Sequence, residues 1–484
     1  MGSVASVAIV CAGLFTAAAG GTGVFAFWLL RGMYNSIQAL PPTAEMLADS
    51  DSCVLFRYLP MLRARVAWRP LGVFPTPVHT ATLPLSNSKR TFYLKREDLS
   101  SPRYGGNKVR TLQHQVAACE VHLAATPDAK FICIGSAGSN QTVAAAVHGA
   151  HLPIYPCYYK VDAPDLDNTI NVLSALSFNP AKVFFWRHKL QMLCALVSAV
   201  FFNANKVFFL GGNNVLGVLG QIGAVLELAE QIQAGDAPDV DELYVAVGSS
   251  CTLTGLVLGV VLARHLGLRA FERANFKIVA VPIHHGSAKL SRSLSLYTAA
   301  WAAFVPLTPR FGIRSTAAFL VKNGVSVDLE PLAVAFLTSH VEVVADADLI
   351  GEYGAHSARS AVAAAFDAHL DVRGDVPAWL AKEKAPQPWL CGHFVAKPFA
   401  LLLERMEAAP VDDKTVRLLW QTKSLVQPKG PSDEWPRFQE LAASCPIFRD
   451  WAMRGRASSV LRRGHVNVDQ DSRKSYQTLM TELA

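Results

Sequence analysis

Between residues 92 and 420, short runs rich in Val, Ile, Leu and Phe alternate with longer stretches of helical character. That alternation constrains the fold more than any single motif. The runs expected to form strands are 92–95, 131–134, 154–158, 207–210, 243–247, 278–281, 341–344 and 416–420. The stretches expected to form helices include 108–124, 142–150, 216–233, 253–266 and 357–370. Apolar strands separated by helices predict an α/β fold whose parallel sheets are covered on both faces. A further apolar run, 192–202, is too short to cross a bilayer and is expected to be a core helix. No internal repeat is visible.

The amino terminus obeys a different rule. No Asp, Glu, Lys or Arg precedes Arg31, and residues 4–30 read VASVAIVCAGLFTAAAGGTGVFAFWLL. A spanning helix needs about 20 mostly apolar residues. The run ends in Phe25-Ala26-Phe27-Trp28 and then Arg31, the aromatic-then-basic edge of a membrane interface. A transmembrane anchor over 1–30 is therefore expected. A cleaved signal peptide is the alternative, with Ala17-Ala18-Ala19 as its small-residue site, although a basic leading region is missing. A buried helix or an organellar leader also stays open. Arg31, Arg57, Arg63, Arg65 and Arg69 follow the run, so the positive-inside rule favours a body facing the cytosol.

Composition excludes several classes. Only 17% of the 484 residues are charged, against about 25% in an ordinary domain. The formal charge of +7 comes from scattered side chains, so nucleic acid is not an expected partner. Nine cysteines without a C-x-x-C argue against a zinc module or a disulfide framework, and no metal is expected.

Three segments carry chemistry. In Tyr93-Leu-Lys-Arg-Glu-Asp-Leu-Ser-Ser-Pro-Arg-Tyr-Gly-Gly-Asn-Lys-Val-Arg110, a strand ends in charges, a Gly-Gly turn follows and Lys108 opens a helix. A surface lysine behind an Asn107 cap would be the ordinary reading. A lysine at a partly desolvated helix start can instead lose its proton and attack a carbonyl. In 131–146, a strand runs through Gly135-Ser-Ala-Gly-Ser139 into Asn140, Gln141 and Thr142. Free backbone amides at such a helix start suit a carboxylate. In 243–256, a strand meets Gly248, Ser249, Ser250, Cys251 and Thr252 at another helix start, where amides and hydroxyls could cradle a phosphate. It is not a P-loop, because G-x-x-x-x-G-K-[ST] is absent.

With these segments in order, the chain resembles the fold-type II pyridoxal-phosphate enzymes of the tryptophan-synthase-β-like group. Within that group it is most similar to the 1-aminocyclopropane-1-carboxylate deaminase and D-cysteine desulfhydrase family. The matching pieces are Phe74-Pro-Thr-Pro-Val78, Lys95-Arg-Glu-Asp-Leu99, Gly105-Gly-Asn-Lys-Val-Arg110 and Ser139-Asn-Gln-Thr142. Gly211-Gly-Asn-Asn214 with Leu216-Gly217, the loop from Gly248, and Gly351-Glu-Tyr-Gly354 complete them. The resemblance implies a two-subdomain body at 70–424, with the smaller subdomain at about 110–225. An anchor (1–30), a linker (31–69) and a polar tail (425–484) flank it. It implies that pyridoxal 5'-phosphate is held covalently by Lys108, which later moves protons. Asn140 would bond the ring hydroxyl, and Gly248, Ser249, Ser250, Cys251 and Thr252 the phosphate. Ser139, Asn140 and Gln141 would meet the substrate carboxylate, Tyr353 would line the substrate side and share in acid-base work, and Thr422 would stand beside the ring nitrogen; Lys108, Ser139 and Tyr353 would be the catalytic residues. A homodimer is implied as well.

The chain departs from the family at three places. The family loop G-S-G-G-T is here Gly248-Ser249-Ser250-Cys251-Thr252, so a positive φ there would be strained. A family V-Y-[E/S/T]-G-K-A becomes His393-Phe394-Val395-Ala396-Lys397-Pro398, and H-T-G-G becomes Gln421-Thr422-Lys423-Ser424. The expected activity is deamination or desulfuration of a small amino acid such as D-cysteine or 1-aminocyclopropane-1-carboxylate, giving ammonia and a 2-oxo acid, with sulfide from D-cysteine. A membrane-tethered cofactor-binding pseudoenzyme and a β-replacement synthase are the alternatives. Asn140-Gln141-Thr142 is formally a glycosylation sequon on the cofactor asparagine. A working site would keep it out of the secretory path.

Overall fold

A computed structural model describes residues 21–85, 88–136, 138–159, 171–172, 174–175, 184–186, 189–202, 205–283, 300–351, 355–380 and 384–426. The strands are β1 (Val78–Leu85), β2 (Ser88–Lys95), β3 (Phe131–Ser136), β4 (Ile154–Tyr159), β5 (Phe184–Trp186) and β6 (Lys206–Phe208). They continue with β7 (Glu242–Val247), β8 (Lys277–Pro282), β9 (Val341–Val343), β10 (Asp371–Arg373) and β11 (Arg417–Trp420). The principal helices are α1 (Gly21–Tyr34), α2 (Ala44–Asp49), α3 (Val54–Tyr58), α4 (Asn107–Ala125), α5 (Asn140–His148) and α6 (Lys189–Phe201). After them come α7 (Val215–Ala234), α8 (Cys251–His265), α9 (Pro309–Lys322), α10 (Glu330–Ser339), α11 (Ala347–Ile350), α12 (Ala358–Ala364) and α13 (Ala396–Ala408).

Two sheets result. The larger has the order β10-β1-β2-β11-β7-β8-β9, and the smaller β5-β4-β3-β6. The smaller sheet is parallel throughout. In the larger, β2, β11, β7, β8 and β9 run parallel, while β1 is antiparallel to both neighbours. This is the expected α/β architecture with an antiparallel edge added. Each expected strand coincides with an observed one. β1, β5 and β10 were not expected. β1 alternates buried and half-buried positions around Thr80, Thr82 and Pro84, so it lacks a continuous apolar run. The expected helix at 357–370 is shorter: α12 stops at Ala364 and a 3₁₀ turn continues to His369.

α7 is the centre of the main core. It lies against α4 and α8, and Leu216, Leu219, Ile222, Val225 and Leu226 are essentially inaccessible. It is long and apolar enough to cross a membrane, yet most of it is enclosed by protein. A helix apolar on all sides is what such a position requires. Residues 31–69, expected as a linker, supply Leu55, Phe56, Leu59, Leu62, Val66 and Trp68 to this same core. Of the anchor expected at 1–30, the first 20 residues lie outside the described ones. The remainder opens α1, which turns Leu29 and Leu30 into a separate apolar cluster.

One expectation is corrected. The run 192–202 does form a helix, α6, but not a core one. Only Leu196 and Ala199 are buried on it, while Leu190 is 70% exposed and the adjoining Phe202 79% exposed. The run is apolar on every side, whereas among the described residues packing partners exist on only one.

Candidate active site

The site is assembled where β2, β3, β7 and β11 end and the following segments turn. After β2 and the short 3₁₀ turn Glu97–Leu99, the chain reaches Gly106 at φ +89°. A Cβ on Gly106 would stand 2.5 Å from the Thr422 carbonyl oxygen, so both conformation and space require glycine. Asn107 then donates its amide to that carbonyl at 3.3 Å, and α4 begins.

Lys108 occupies the first turn of α4. Its Nζ donates to the Gly211 carbonyl at 2.8 Å. Among the described residues no carboxylate pairs with it. Burial pushes the amine below the usual lysine pKa, and the neighbouring Cys251 and Cys133 offset only part of that. A neutral amine is both a nucleophile and a base. Gly211 stands at φ +61°, where a Cβ would lie 2.4 Å from Ser249 Oγ and 3.8 Å from Lys108 Nζ. The space beside the lysine is thus backbone-lined.

Below the lysine lies a buried charge cluster that the sequence reading did not resolve. Arg110, half a turn beyond Lys108, donates Nε to Glu97 Oε2 at 2.9 Å and Nη1 to Glu227 Oε2 at 2.8 Å. Its Nη2 reaches Glu97 Oε1 and Glu227 Oε1 at 2.9 and 2.7 Å. Lys95 Nζ donates to Glu227 Oε1 at 2.7 Å and to the Thr76 carbonyl at 2.8 Å. Two cations face two carboxylates, all buried. The cluster fastens the start of α4 to β2 and α7. In the Lys95–Leu99 motif Lys95 and Glu97 serve this purpose, while Arg96 and Asp98 pair with each other at 2.7 Å.

The loop from Gly248 to Thr252 opens α8. Asn213 Nδ2 donates to the Ser249 carbonyl at 2.6 Å, and Asn107 Nδ2 donates to Thr252 Oγ1 at 2.8 Å. The second contact ties this loop to the lysine segment, and the first ties it to the Gly211–Asn214 turn whose carbonyl Lys108 meets. Cys251 is buried against Gly212, its thiol pushed up to about 11 by desolvation. Ser250 stands at φ +68°, where the family pattern has glycine. Its hydroxyl donates to the Leu307 carbonyl at 3.0 Å, so it points out of the cradle. Left-handed backbone costs a non-glycine residue about 1–2 kcal/mol, and the hydroxyl bond returns about 1 kcal/mol. Ser250→Gly is therefore expected to leave stability within about 1 kcal/mol. Ser250→Ala, which keeps the strain and loses the bond, should cost about 1–2 kcal/mol. Urea unfolding midpoints of the two variants test this ordering.

The third side is built on α5. Asn140 Oδ1 accepts from Tyr104 Oη at 3.0 Å, Asn171 Nδ2 at 3.0 Å and Lys423 Nζ at 3.1 Å. Three donors on one oxygen fix which way the amide faces, so its Nδ2 is the end left for a ligand. Ser139 precedes α5 and makes no side-chain capping bond. Gln141 is 1% exposed, and among the described residues neither atom of its amide has a partner. Its Oε1 would be 2.9 Å from a Cβ on Gly212, so it borders the backbone turn that Lys108 touches. A buried amide with nothing to bond is costly unless a ligand completes it.

Lys423, Tyr104 and Asn171 were not singled out from sequence. Lys423 is buried, bonds Asn171 Oδ1 at 2.8 Å and lies 4.4 Å from the centroid of the Trp389 ring. Its place beside Thr422 in a recognised segment was the available signal; Asn171 had none. Thr422 itself is 8% exposed and enters the site through its carbonyl. Phe394 packs at the edge of the second core cluster and Val395 is fully buried. Lys397 Nζ donates to the Ile283 and Ile350 carbonyls, a fastening role. Tyr353, with Glu352 and Gly354, lies outside the described residues.

Comparisons with known proteins give the following. A family model described as "Pyridoxal-phosphate dependent enzyme" matches residues 70–312. A D-cysteine desulfhydrase of Klebsiella pneumoniae (strain 342) is 29% identical over 203 residues, which is 38% of this chain and 57% of that protein. A mitochondrial bifunctional D-cysteine desulfhydrase/1-aminocyclopropane-1-carboxylate deaminase of Arabidopsis thaliana is 29% identical over 203 residues, 39% of this chain and 50% of that protein. The chain thus matches about half the length of these curated relatives. Among solved structures, an ACC deaminase homologue superposes with a TM-score of 0.48 at 18% identity, covering 80% of this chain and 98% of the other. Threonine synthase from yeast superposes with a TM-score of 0.48 at 11% identity, covering 93% and 91%.

Proposed function

This chain belongs to the pyridoxal-phosphate dependent enzymes, and from that membership we propose that it is a lyase or deaminase of a small amino acid. The substrate would be of the D-cysteine or 1-aminocyclopropane-1-carboxylate type. Water is consumed, and ammonia and a 2-oxo acid are released, with sulfide from D-cysteine. The observation that carries this reading is the Lys108 amine, desolvated, without a carboxylate partner among the described residues, and facing a backbone-lined space. The printed activities of the two curated relatives support the substrate class.

The residues present fit pyridoxal phosphate. Lys108 would hold it, Asn140 would offer Nδ2 to its ring hydroxyl, and the amides opening α8 with Ser249 would face its phosphate. The unpartnered Gln141 amide, with Ser139, is suited to a substrate carboxylate. Thr422 would meet the ring nitrogen as a neutral group. When bound, the cofactor supplies the electron sink for bond breaking at the substrate α-carbon. The chain's own contribution is positional and protonic. The charge cluster around Arg110 holds the first turn of α4, so that Lys108 can take and return a proton at one place. Tyr104, Asn171 and Lys423 hold Asn140 in one orientation.

A second reading has specific support. Phe394 replaces a family tyrosine, and the Lys423 cation already bonds Asn140; both favour a cofactor-binding protein with reduced chemistry. Incubation with D-cysteine, D-serine and 1-aminocyclopropane-1-carboxylate, monitored by spectral shift, ammonia and 2-oxo acid, separates the two. Product from at least one without a second nucleophile is expected. A bound cofactor with no product from any of them would favour the second reading, and product only with an added nucleophile would indicate a synthase.

The body is proposed to be tethered by residues 4–30 and to face the cytosol. Support comes from the uncharged run, from Arg31 beyond it, and from the sequon asparagine. Tyr104, Asn171 and Lys423 hold Asn140 by its Oδ1, so the Nδ2 that would carry a glycan is the atom turned to the cofactor, and a glycan there would block the site.

A further inference from the structure

α1 and α6 pack against each other, with Gly32 set directly against Val200. Leu29, Leu30, Met33 and Tyr34 of α1 are buried with Leu196 and Ala199 of α6 in one cluster. On the other side of both helices large apolar side chains are exposed. Phe25 is 45% and Trp28 57% exposed on α1. Leu190 is 70% exposed on α6, Phe201 is 47% exposed, and Phe202 just beyond it is 79% exposed. Leu193 and Cys194 are exposed as well. No Asp, Glu, Lys or Arg occurs before Arg31 or between Lys189 and Lys206. A helix facing water carries charge on its outer side. Large apolar side chains gathered on adjacent elements mark a contact surface.

We propose that α6 and the start of α1 form a lipid-contacting face, so that the body rests on the bilayer surface instead of swinging on a tether. The inference rests on the reading of residues 4–30 as a span. An α-helix rises about 1.5 Å per residue, so Trp28 and Leu30 are about 3 Å apart along the axis. Leu29 and Leu30 are already inside the body, while Phe25 and Trp28 form the aromatic edge expected at the lipid headgroups. No linker intervenes. The bilayer surface therefore meets the body where α1 enters it, and α6 is the element packed there. Its uncharged outer side is what an in-plane interfacial helix buries among headgroups and upper acyl chains.

Cys194 provides the test. Among the described residues the other cysteines are buried. In the full chain carrying Cys11→Ser and Cys445→Ser, Cys194 is labelled with a polarity-sensitive fluorophore. The protein is then placed in phosphatidylcholine–phosphatidylglycerol vesicles. The expected result is a blue-shifted emission, quenched at least threefold more by shallow nitroxide lipids than a label on exposed Asp236→Cys in the Cys194→Ser background. Iodide in the aqueous phase should quench it less than that control. Leu190→Glu with Phe202→Glu should abolish lipid quenching while the chain still floats with vesicles. Failure to float overturns the span, and this inference with it. Flotation with Cys194 as open to iodide as the control overturns this inference alone. Protection from iodide without lipid quenching, growing with protein density, would assign the face to a second copy of the chain and likewise overturn it.

Discussion

Lys108→Ala is expected to remove the long-wavelength absorbance of the bound cofactor and to lower any amino-acid turnover by at least about a thousandfold. The lysine is the one amine described on the backbone-lined space bounded by Gly211 and Ser249. Among the described residues no carboxylate pairs with it. Lys108→Arg should fail almost as completely, because a guanidinium keeps its charge and cannot act as the base. The same physics sets a pH dependence. Burial lowers the amine pKa, so capture of added cofactor by the cofactor-free protein should accelerate as pH rises, with an inflection below that of free lysine. An inflection at or above the ordinary lysine value would contradict the assignment. A cofactor band surviving Lys108→Ala would move the attachment to another amine, with Lys423 the first to examine.

Glu227→Gln is expected to cost about 3–5 kcal/mol, because it leaves a buried cation uncompensated. Glu227 is 1% exposed and accepts from the Thr76 amide, Lys95 and both terminal nitrogens of Arg110. Burial alone would raise its pKa; Arg110 and then Lys95 outweigh that and lower it to about 2. The unfolded carboxyl takes up its proton near the ordinary value, the folded one only near 2. The unfolded chain therefore binds the extra proton between those values, and the contribution of Glu227 is lost as pH falls through that window. Above it the contribution is fully present. Urea midpoints measured from neutral pH downward should show this acid dependence in the parent and lack that component in Glu227→Gln. If the variant matched the parent at neutral pH, the cluster would not be what holds the start of α4. A lowered cofactor affinity accompanying the lost stability would link the cluster to the placement of Lys108.

The parallel strands were legible because each is a run of Val, Ile, Leu or Phe closed by small residues. β7, as Leu243-Tyr-Val-Ala-Val247, is the clearest. Lys108, Asn140, Gln141 and the loop at Gly248 were legible because each follows such a strand at a helix start. What escaped notice depends on partners distant in sequence. Arg110 reads as a helix-surface charge until Glu227, on another helix, turns it into the centre of a cluster. Lys423 reads as a departure from pattern until Asn140 and Asn171 are beside it. α6 reads as core because composition records apolarity and not the presence of a neighbour. The outward direction of the Ser250 hydroxyl follows from Leu307 and leaves no trace in the loop itself.

β11 has a consequence for how the molecule comes to exist. It pairs with β2 on one side and β7 on the other. Without it the larger sheet is two unconnected pieces, β10-β1-β2 and β7-β8-β9. The same segment then delivers the Thr422 carbonyl to Asn107 and Lys423 to Asn140. During synthesis the emerging chain must carry an open pair of strand edges until nearly all of the body has left the ribosome. Such edges are liable to pair wrongly in the interval. A nascent chain stalled before Arg417 would display the lysine without the Thr422 carbonyl and Lys423 that complete its surroundings. Completion of the sheet and completion of the catalytic centre are a single late event.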